Sequence, residues 1–245
     1  MKPSLRTRLG SYFVDIALEE TLSDYSGKLE VICRNGRYAL CTKNAVYSYD
    51  DLYVNFRDSF QQLDLDEYGI KNVLVLGLGL GSIPLLLEKK FKKKYNYTLV
   101  EIDQKIIDLA TKYRLDELKS SYSVICIDAL EYVKTCSEQF DLVAIDIFID
   151  DQIPSAFESI EFLENVKKVL SPNALLMYNQ LTYNDVLLSK TALFFQQKFK
   201  SIFPEAVFLS LSNLSNTFGV KLVFHSVCCG INLVSMKPTM KSHKP

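Results

Sequence analysis

Gly77-Leu78-Gly79-Leu80-Gly81 follows the apolar run NVLVL and precedes the helix-like stretch SIPLLLEKKFKK. Glycines between a strand and a helix allow a tight turn, let backbone approach a ligand closely, and leave helix N–H groups pointing at it. Glu101 stands 20 residues after Gly81 and closes the next apolar run in VEID, where a carboxylate can accept both hydroxyls of a ribose. Asp128, followed by Ala129 in CIDA, closes the run after that, where a side-chain acceptor meets an adenine amino group. Each acid has a plainer reading as the cap of the following helix, since Asp is a favoured N-cap. Order and spacing together favour a nucleoside, because acids at successive strand ends around a glycine turn converge on one crevice.

A further apolar run, LVAI, leads into AIDIFIDDQIP, which holds Asp146, Asp150 and Asp151 within six residues. Such acids are a catalytic cluster, a substrate clamp, or the polar end of a buried strand. The strand reading separates them. Asp146 ends the strand and faces the crevice, whereas Asp150 and Asp151 open a loop over it. Asp150 is expected to be solvated; Asp151 stays open between a substitute base and a solvated acid.

The elements that must position these residues follow from periodicity. From Lys71 onward, short apolar runs alternate with helical patterns: NVLVLG, TLVEID, SVICID, DLVAID and ALLMYNQ are strands, separated by helices and followed by a long amphipathic helix in NDVLLSKTALFFQQKFKSIF. Continuous apolar strands between helices predict an α/β fold with a doubly wound, mostly parallel sheet covered on both faces. AVFLSLS, VKLVFHS and INLVS are further strand candidates, two or three of which enter the sheet. Ahead of this unit, KLEVICR and RYALCT flank Asn35-Gly36, a strong signal for a β-hairpin with a type I′ turn. YSYDDLYVNFRDSFQQL then reads as one helix, with Tyr49, Leu52, Tyr53 and Phe56 on a shared face. The expected organisation is a hairpin-and-helix cap over residues 1–65, a Rossmann-like domain over 66–236, and a disordered tail over 237–245.

Bulk composition narrows the classes. Of the 245 residues, 48% are hydrophobic and 23% charged, the balance of a soluble globular protein. A net charge of -1 and a pI near 6.2 give no field for nucleic acid. Lys89, Lys90, Lys92, Lys93 and Lys94 cluster where a helix ends, as expected of a solvated face favoured by the helix dipole. No apolar run reaches the roughly 20 residues of a membrane span, and the first residues lack the apolar core of a signal peptide. Six cysteines form no CxxC and have only His225 and His243 beside them, which argues against a metal and for a reducing cytoplasm.

The glycines decide between nucleoside ligands. A dinucleotide turn of the form GxGxxG would need glycine at position 82, which is Ser82. GxGxG followed by E-x-D and D-A resembles the class I S-adenosylmethionine-dependent methyltransferase fold instead. FDLVAIDIF with its later I-P, together with L-S-P-N-A-L-L, sharpens this into a resemblance to the spermidine synthase family and its methyltransferase-like relatives, from about Lys28 to Gln180. The segment YSYDDLY resembles the family's F-S-Y-Q-E-M.

The resemblance implies S-adenosylmethionine, or its decarboxylated form, as cofactor. Gly77, Gly79 and Gly81 would stand beside its methionine part, Glu101 would hold the ribose, and Asp128 with Ala129 the adenine. Asp146 matches the first acid of the family's D-S-S-D-P motif, and Tyr49 a tyrosine at the edge of the reaction site. The family's habits also imply a homodimer built partly through the hairpin region. Departures are as informative. The acid of G-G-G-D-G-G is Leu80 here, the second acid of D-S-S-D-P falls on Ile149, the acid of Q-G-E falls on Leu181, and a histidine is replaced by Asn55.

Ammonium groups are costly to take out of water without paired carboxylates, so these losses count against a polyamine site. The sequence therefore favours methyl transfer to a small-molecule acceptor, with Asp146 or Asp151 orienting or deprotonating the nucleophile. Aminopropyl transfer from decarboxylated S-adenosylmethionine to putrescine is the alternative, and a non-catalytic nucleoside-binding scaffold the third.

Overall fold

The computed structural model describes residues 3–182, 184–210 and 220–227. A short helix α1 (Leu5–Gly10) precedes four strands, β1 (Ile16–Ser23), β2 (Gly27–Arg34), β3 (Arg37–Cys41) and β4 (Val46–Ser48), which form an antiparallel sheet in that order. The expected hairpin joins β2 to β3. Asn35 and Gly36 have φ of 50° and 73°, the positive values that a type I′ turn needs at both centres. Strand β1 carried no clear signal, because IALEETLS pairs on one side only and places Glu19 and Glu20 next to a register slip. Charge and irregularity are how an edge strand avoids further pairing.

The helix expected from Tyr49 onward is shorter than its apolar spacing suggests. A 3-10 turn spans Asp50–Leu52, and α2 begins only at Val54 and ends at Gln61. Asp50 is the cause: its φ is +43°, a left-handed conformation that an α-helix of L-residues cannot propagate through. Its carboxylate is buried and accepts from Arg114 Nη2 at 2.7 Å. Tyr49 and Tyr53 consequently lie on different faces.

The second sheet follows: β5 (Asn72–Leu76), α3 (Ser82–Leu85), β6 (Asn96–Glu101), α4 (Gln104–Tyr113), β7 (Tyr122–Cys126), α5 (Ala129–Thr135), β8 (Phe140–Ile145), α6 (Ile160–Lys168), β9 (Leu170–Thr182), α7 (Asp185–Phe194), β10 (Val207–Ser210) and β11 (Val220–Val227). Its spatial order is β10-β11-β9-β8-β5-β6-β7. Strands β7, β6, β5, β8 and β9 run parallel, and β11 pairs antiparallel with both β9 and β10. This is the doubly wound, mostly parallel sheet that the sequence predicts. AVFLSLS and VKLVFHS supply its last two strands, whereas INLVS and the tail at 237–245 lie outside the described residues. The long helix is α7 continued by a π-turn over Phe195–Phe199 and a last turn to Ile202. Phe194, Phe195, Phe199 and Phe203 pack against one another along it, Phe195 and Phe199 stacked and the others edge-on or tilted. Among the described residues no helix is long and apolar enough to cross a membrane.

The inner strands β5, β6, β8 and β9 are largely apolar on both sides because both sides are covered, whereas the edge strand β7 is exposed to half-buried. Val73 and Val75 of β5 join one core with Leu29, Leu40, Phe56 and Ile106, while Leu74 and Leu76 join the other with Val143, Phe162 and Phe199. The N-terminal sheet thus shares a core with the parallel sheet, across the division at residue 65. Strands β6 and β8 flank β5, and the chain changes direction there, so a crevice opens beyond the carboxyl ends of these three strands.

Arg114 rivets the two sheets together. It donates to Asp50 and, through Nη1, to Glu117 at 2.6 Å, and its guanidinium stands 5.9 Å from the ring centroid of Tyr38. Removing one member of a buried pair strands the other charge. Arg114→Ala should therefore lower unfolding stability by about 3–5 kcal/mol in urea titration, and adding Asp50→Asn to that variant should recover part of the loss.

Candidate functional site

Beyond the ends of β5, β6, β7 and β8 lies a cavity of about 320 Å³, within the range of small-molecule sites. Its floor is the glycine turn. Gly77 has φ of +91°, and a Cβ there would stand 2.2 Å from the carbonyl oxygen of Asp146 on the neighbouring strand end. A Cβ on Gly79 would meet the Tyr47 carbonyl oxygen at 3.0 Å and Ser48 Cβ at 3.2 Å. These two glycines are thus required by the protein's own backbone, from β8 on one side and β4 on the other. Gly81 begins α3 and does not line the cavity.

Glu101, at the end of β6, is 9% exposed. Its Oε2 accepts from Leu78 N–H at 3.0 Å; its Oε1 accepts from Ile102 N–H at 3.0 Å and Asp103 N–H at 3.2 Å. Burial pushes this carboxyl above its ordinary value, and the three backbone donors pull the other way. Because Leu78 belongs to the glycine turn, one side chain fixes the turn and faces the cavity. Asp128 caps a helix, as its plainer reading expects, and it also stands at the cavity. Its Oδ1 caps α5 through Leu130 N–H at 2.8 Å, and the residue lines the cavity together with Ala129.

Asp146 lies on the opposite wall from these acids. Its Oδ2 accepts from the Tyr53 hydroxyl at 2.7 Å and its Oδ1 from Asn179 Nδ2 at 2.7 Å; Asn179 Oδ1 in turn accepts from Asn55 Nδ2 at 3.2 Å. Burial and the adjacent Asp146 charge push the Tyr53 phenol well above its ordinary value, so it remains a neutral donor. Tyr53 and Asn179 were missed by sequence reasoning. The available signal was the polar pair Asn179-Gln180 closing an apolar strand, while Tyr53 was absorbed into an apolar helix face.

The N-terminal sheet closes the remaining side through Tyr25, Ser26 and Tyr47. Asp103 anchors it: Oδ2 accepts from Ser23 Oγ at 2.5 Å while Oδ1 caps α4. Ser26 Oγ and the Tyr47 hydroxyl are 3.1 Å apart, and that hydroxyl also accepts from Asp150 N–H at 2.5 Å.

Asp150 differs from expectation. It is half-buried, and its carboxylate accepts from Thr42 Oγ1 at 2.5 Å, Asn44 N–H at 3.0 Å and Asn44 Nδ2. Burial would raise its pKa, but these donors outweigh it and hold the carboxyl below its ordinary value. It is a clasp for the β3–β4 turn, not a solvated loop acid. Asp151 lies outside the cavity, in a separate groove with Glu158, Gln180 and Lys190. Tyr49 is also outside, its hydroxyl accepting from Asn35 Nδ2 at 3.0 Å; the tyrosine that bonds Asp146 is Tyr53, while Tyr25 and Tyr47 line the cavity. Leu80 is buried in the core at 2% exposure, whereas Ile149 stands at the cavity rim, 45% exposed. No group of three or more His, Cys, Asp or Glu among the described residues is placed to hold a metal ion.

A family model described as "Spermine/spermidine synthase domain" matches residues 62–235. A probable polyamine aminopropyl transferase from Bifidobacterium longum is 33% identical over 114 residues, 46% of this chain and 25% of that protein. An eEF1A lysine and N-terminal methyltransferase from Bos taurus is 29% identical over 143 residues, 54% of this chain and 20% of that protein. The spermidine synthase of Thermotoga maritima superposes with a TM-score of 0.64 at 15% identity, covering 86% of this chain and 72% of that one, a likeness of fold. The chain spans between a quarter and a half of the length of the aminopropyltransferases it matches.

The glycine geometry gives a direct test. Gly77→Ala adds a backbone overlap to an unfavourable φ and should lower stability by at least about 2 kcal/mol in chemical denaturation. Gly27, at φ +66° with open space around its Cβ position, supplies the control, and Gly27→Ala should lower stability by about 1 kcal/mol.

Proposed function

Because this chain belongs to the spermine/spermidine synthase family, we propose that it is a transferase acting on a sulfonium nucleoside of the S-adenosylmethionine type. The transferred group is aminopropyl, taken from decarboxylated S-adenosylmethionine, as the names of the polyamine aminopropyltransferases it resembles suggest. The observation that carries the nucleoside part is the pairing of Glu101 and Asp128 at adjacent strand ends around one cavity floored by the Gly77–Gly79 turn. In this reading Glu101 accepts from the ribose hydroxyls with the lone pairs its backbone donors leave free, and Asp128 meets the adenine amino group. Ile127, Ala129 and Leu130 supply apolar surface for the base.

The transfer needs little covalent help. An amine nitrogen forms a bond to the carbon next to sulfur, the C–S bond breaks, and its electron pair leaves with a neutral thioether. Asp146 is the acid placed to orient the amine and receive its proton, with Tyr53 and Asn179 holding the carboxylate in place. The N-terminal sheet excludes water from that side.

Methyl transfer from S-adenosylmethionine itself is the second reading. It is favoured by Leu80, buried in the core where the family's resemblance would put an acid for the aminopropyl amine. The donor carries its own amino and carboxylate groups in that case, and needs no added acid.

Thermal-shift titration separates these readings. Methylthioadenosine, decarboxylated S-adenosylmethionine and S-adenosylmethionine are compared at concentrations up to 100 times the dissociation constant, where binding should stabilise the fold by about 2.7 kcal/mol. Methylthioadenosine should raise the melting temperature, and Glu101→Ala should abolish the rise. The decarboxylated form should outrank S-adenosylmethionine if aminopropyl is moved; the reverse order selects methyl transfer. A protein indifferent to all three ligands is no nucleoside-dependent transferase.

A further inference from the structure

One aromatic side chain is tied across the cavity mouth. Tyr47 belongs to β4, and its carbonyl oxygen would stand 3.0 Å from a Cβ on Gly79, so its backbone is seated against the glycine turn. Its hydroxyl is 3.1 Å from Ser26 Oγ and accepts from Asp150 N–H at 2.5 Å. Ser26 lines the cavity from the N-terminal sheet, and Ile149, the neighbour of Asp150, lines it from the segment after β8. Tyr47 is thus fixed by its backbone on the turn and by its hydroxyl between two rims, and it lines the cavity itself. Burial raises the pKa of this phenol above its ordinary value, against the bonds to Ser26 and to Asp150 N–H, so the ring is presented neutral.

The station of a donor's sulfur follows from the reading proposed above, on which this inference rests. There the ribose is on Glu101 and the reacting carbon is turned towards Asp146, with the sulfur between them. Both ends of that path border the glycine turn: Glu101 accepts from Leu78 N–H, and the Cβ position of Gly77 abuts the Asp146 carbonyl. Tyr47 leans on the same turn at Gly79.

A sulfonium is a positive charge wrapped in carbon, with no N–H or O–H to donate. Hydrogen bonding cannot read it, whereas the face of an aromatic ring attracts it as it attracts a quaternary ammonium. Among the described residues no Lys, Arg or His lines the cavity to oppose such a charge. Once the group has been transferred the sulfur is a neutral thioether, and the attraction to the ring is gone.

We propose that Tyr47 is the residue that distinguishes the charged donor from the spent nucleoside, its ring face holding the sulfonium and giving the thioether no equal hold. The hydroxyl serves to keep the ring in place. One contact then favours both capture of the donor and release of the product.

The test is isothermal titration calorimetry on the full chain. Methylthioadenosine is titrated first, and its failure to bind overturns the function proposed above and this inference with it. S-adenosylmethionine and its decarboxylated form are then each compared with their own demethylated thioether, and the tighter-binding donor supplies the ratio. In the unmodified protein the sulfonium should bind at least about threefold more tightly than the thioether. Tyr47→Leu should bring the two close to equal, while Tyr47→Phe, which keeps the ring and loses the hydroxyl, should hold the ratio within about twofold. A ring-trifluorinated phenylalanine at the same position keeps the shape of Tyr47→Phe and draws charge off the ring face. Its ratio should fall below that of Tyr47→Phe, a comparison that stands whether or not Tyr47→Leu folds. No preference in the unmodified protein, failure of both donors to bind, a ratio untouched by fluorination or by Tyr47→Leu, or a ratio lost already in Tyr47→Phe would each overturn the inference while leaving the nucleoside site standing.

Discussion

The carboxylate of Glu101 is the constraint on which the rest of the site depends. A buried acid must be met by donors, and here they are three backbone N–H groups, from Leu78, Ile102 and Asp103. Leu78 sits between two glycines whose Cβ positions are filled by neighbouring backbone, so the turn has no freedom to settle elsewhere. The same side chain that completes the turn also lines the cavity. Fold and binding surface are consequently one arrangement, and neither can be altered alone.

Around that centre the N-terminal sheet is attached through polar contacts that converge on the cavity rim. Ser23 bonds Asp103, Ser26 contacts Tyr47, Tyr47 receives the Asp150 N–H, and Asp150 returns to Thr42 and Asn44. On the far side, Arg114 joins Asp50 and Glu117. The strained backbone at Asp50, and likewise at Asp150 with φ of +52°, is sustained by these contacts. Asp146 stands between the two systems, with Tyr53 reaching it from just before α2 and Asn179 from β9.

Much of the fold was legible because parallel strands buried on both faces leave unbroken apolar runs, which is why NVLVL, TLVE and LVAI appear as strands β5, β6 and β8. Glu101 and Asp128 were legible as cavity-lining acids for a related reason: each follows or ends such a run. What escaped depended on long-range partners. Asp50 breaks the expected helix through Arg114, 64 residues away in sequence. Asp150 became a clasp through Thr42 and Asn44 in the other sheet. Tyr53 rather than Tyr49 reaches Asp146 because the break at Asp50 rotates one against the other. Local periodicity carries no information about such contacts.

In the proposed reading, Glu101 and Asp128 form the nucleoside side of a cavity that Asp146 also lines. In that reading the backbone-held Glu101 carboxylate takes the ribose hydroxyls. The most direct measurement is the affinity of methylthioadenosine relative to its 2′-deoxy analogue, in the unmodified protein and in Glu101→Gln. The unmodified protein should lose about tenfold or more in affinity when the hydroxyl is removed, and Glu101→Gln should be nearly indifferent to it, since a hydrogen bond to a charged group contributes about 1.5–3 kcal/mol. Equal affinity of the unmodified protein for both nucleosides would contradict the account.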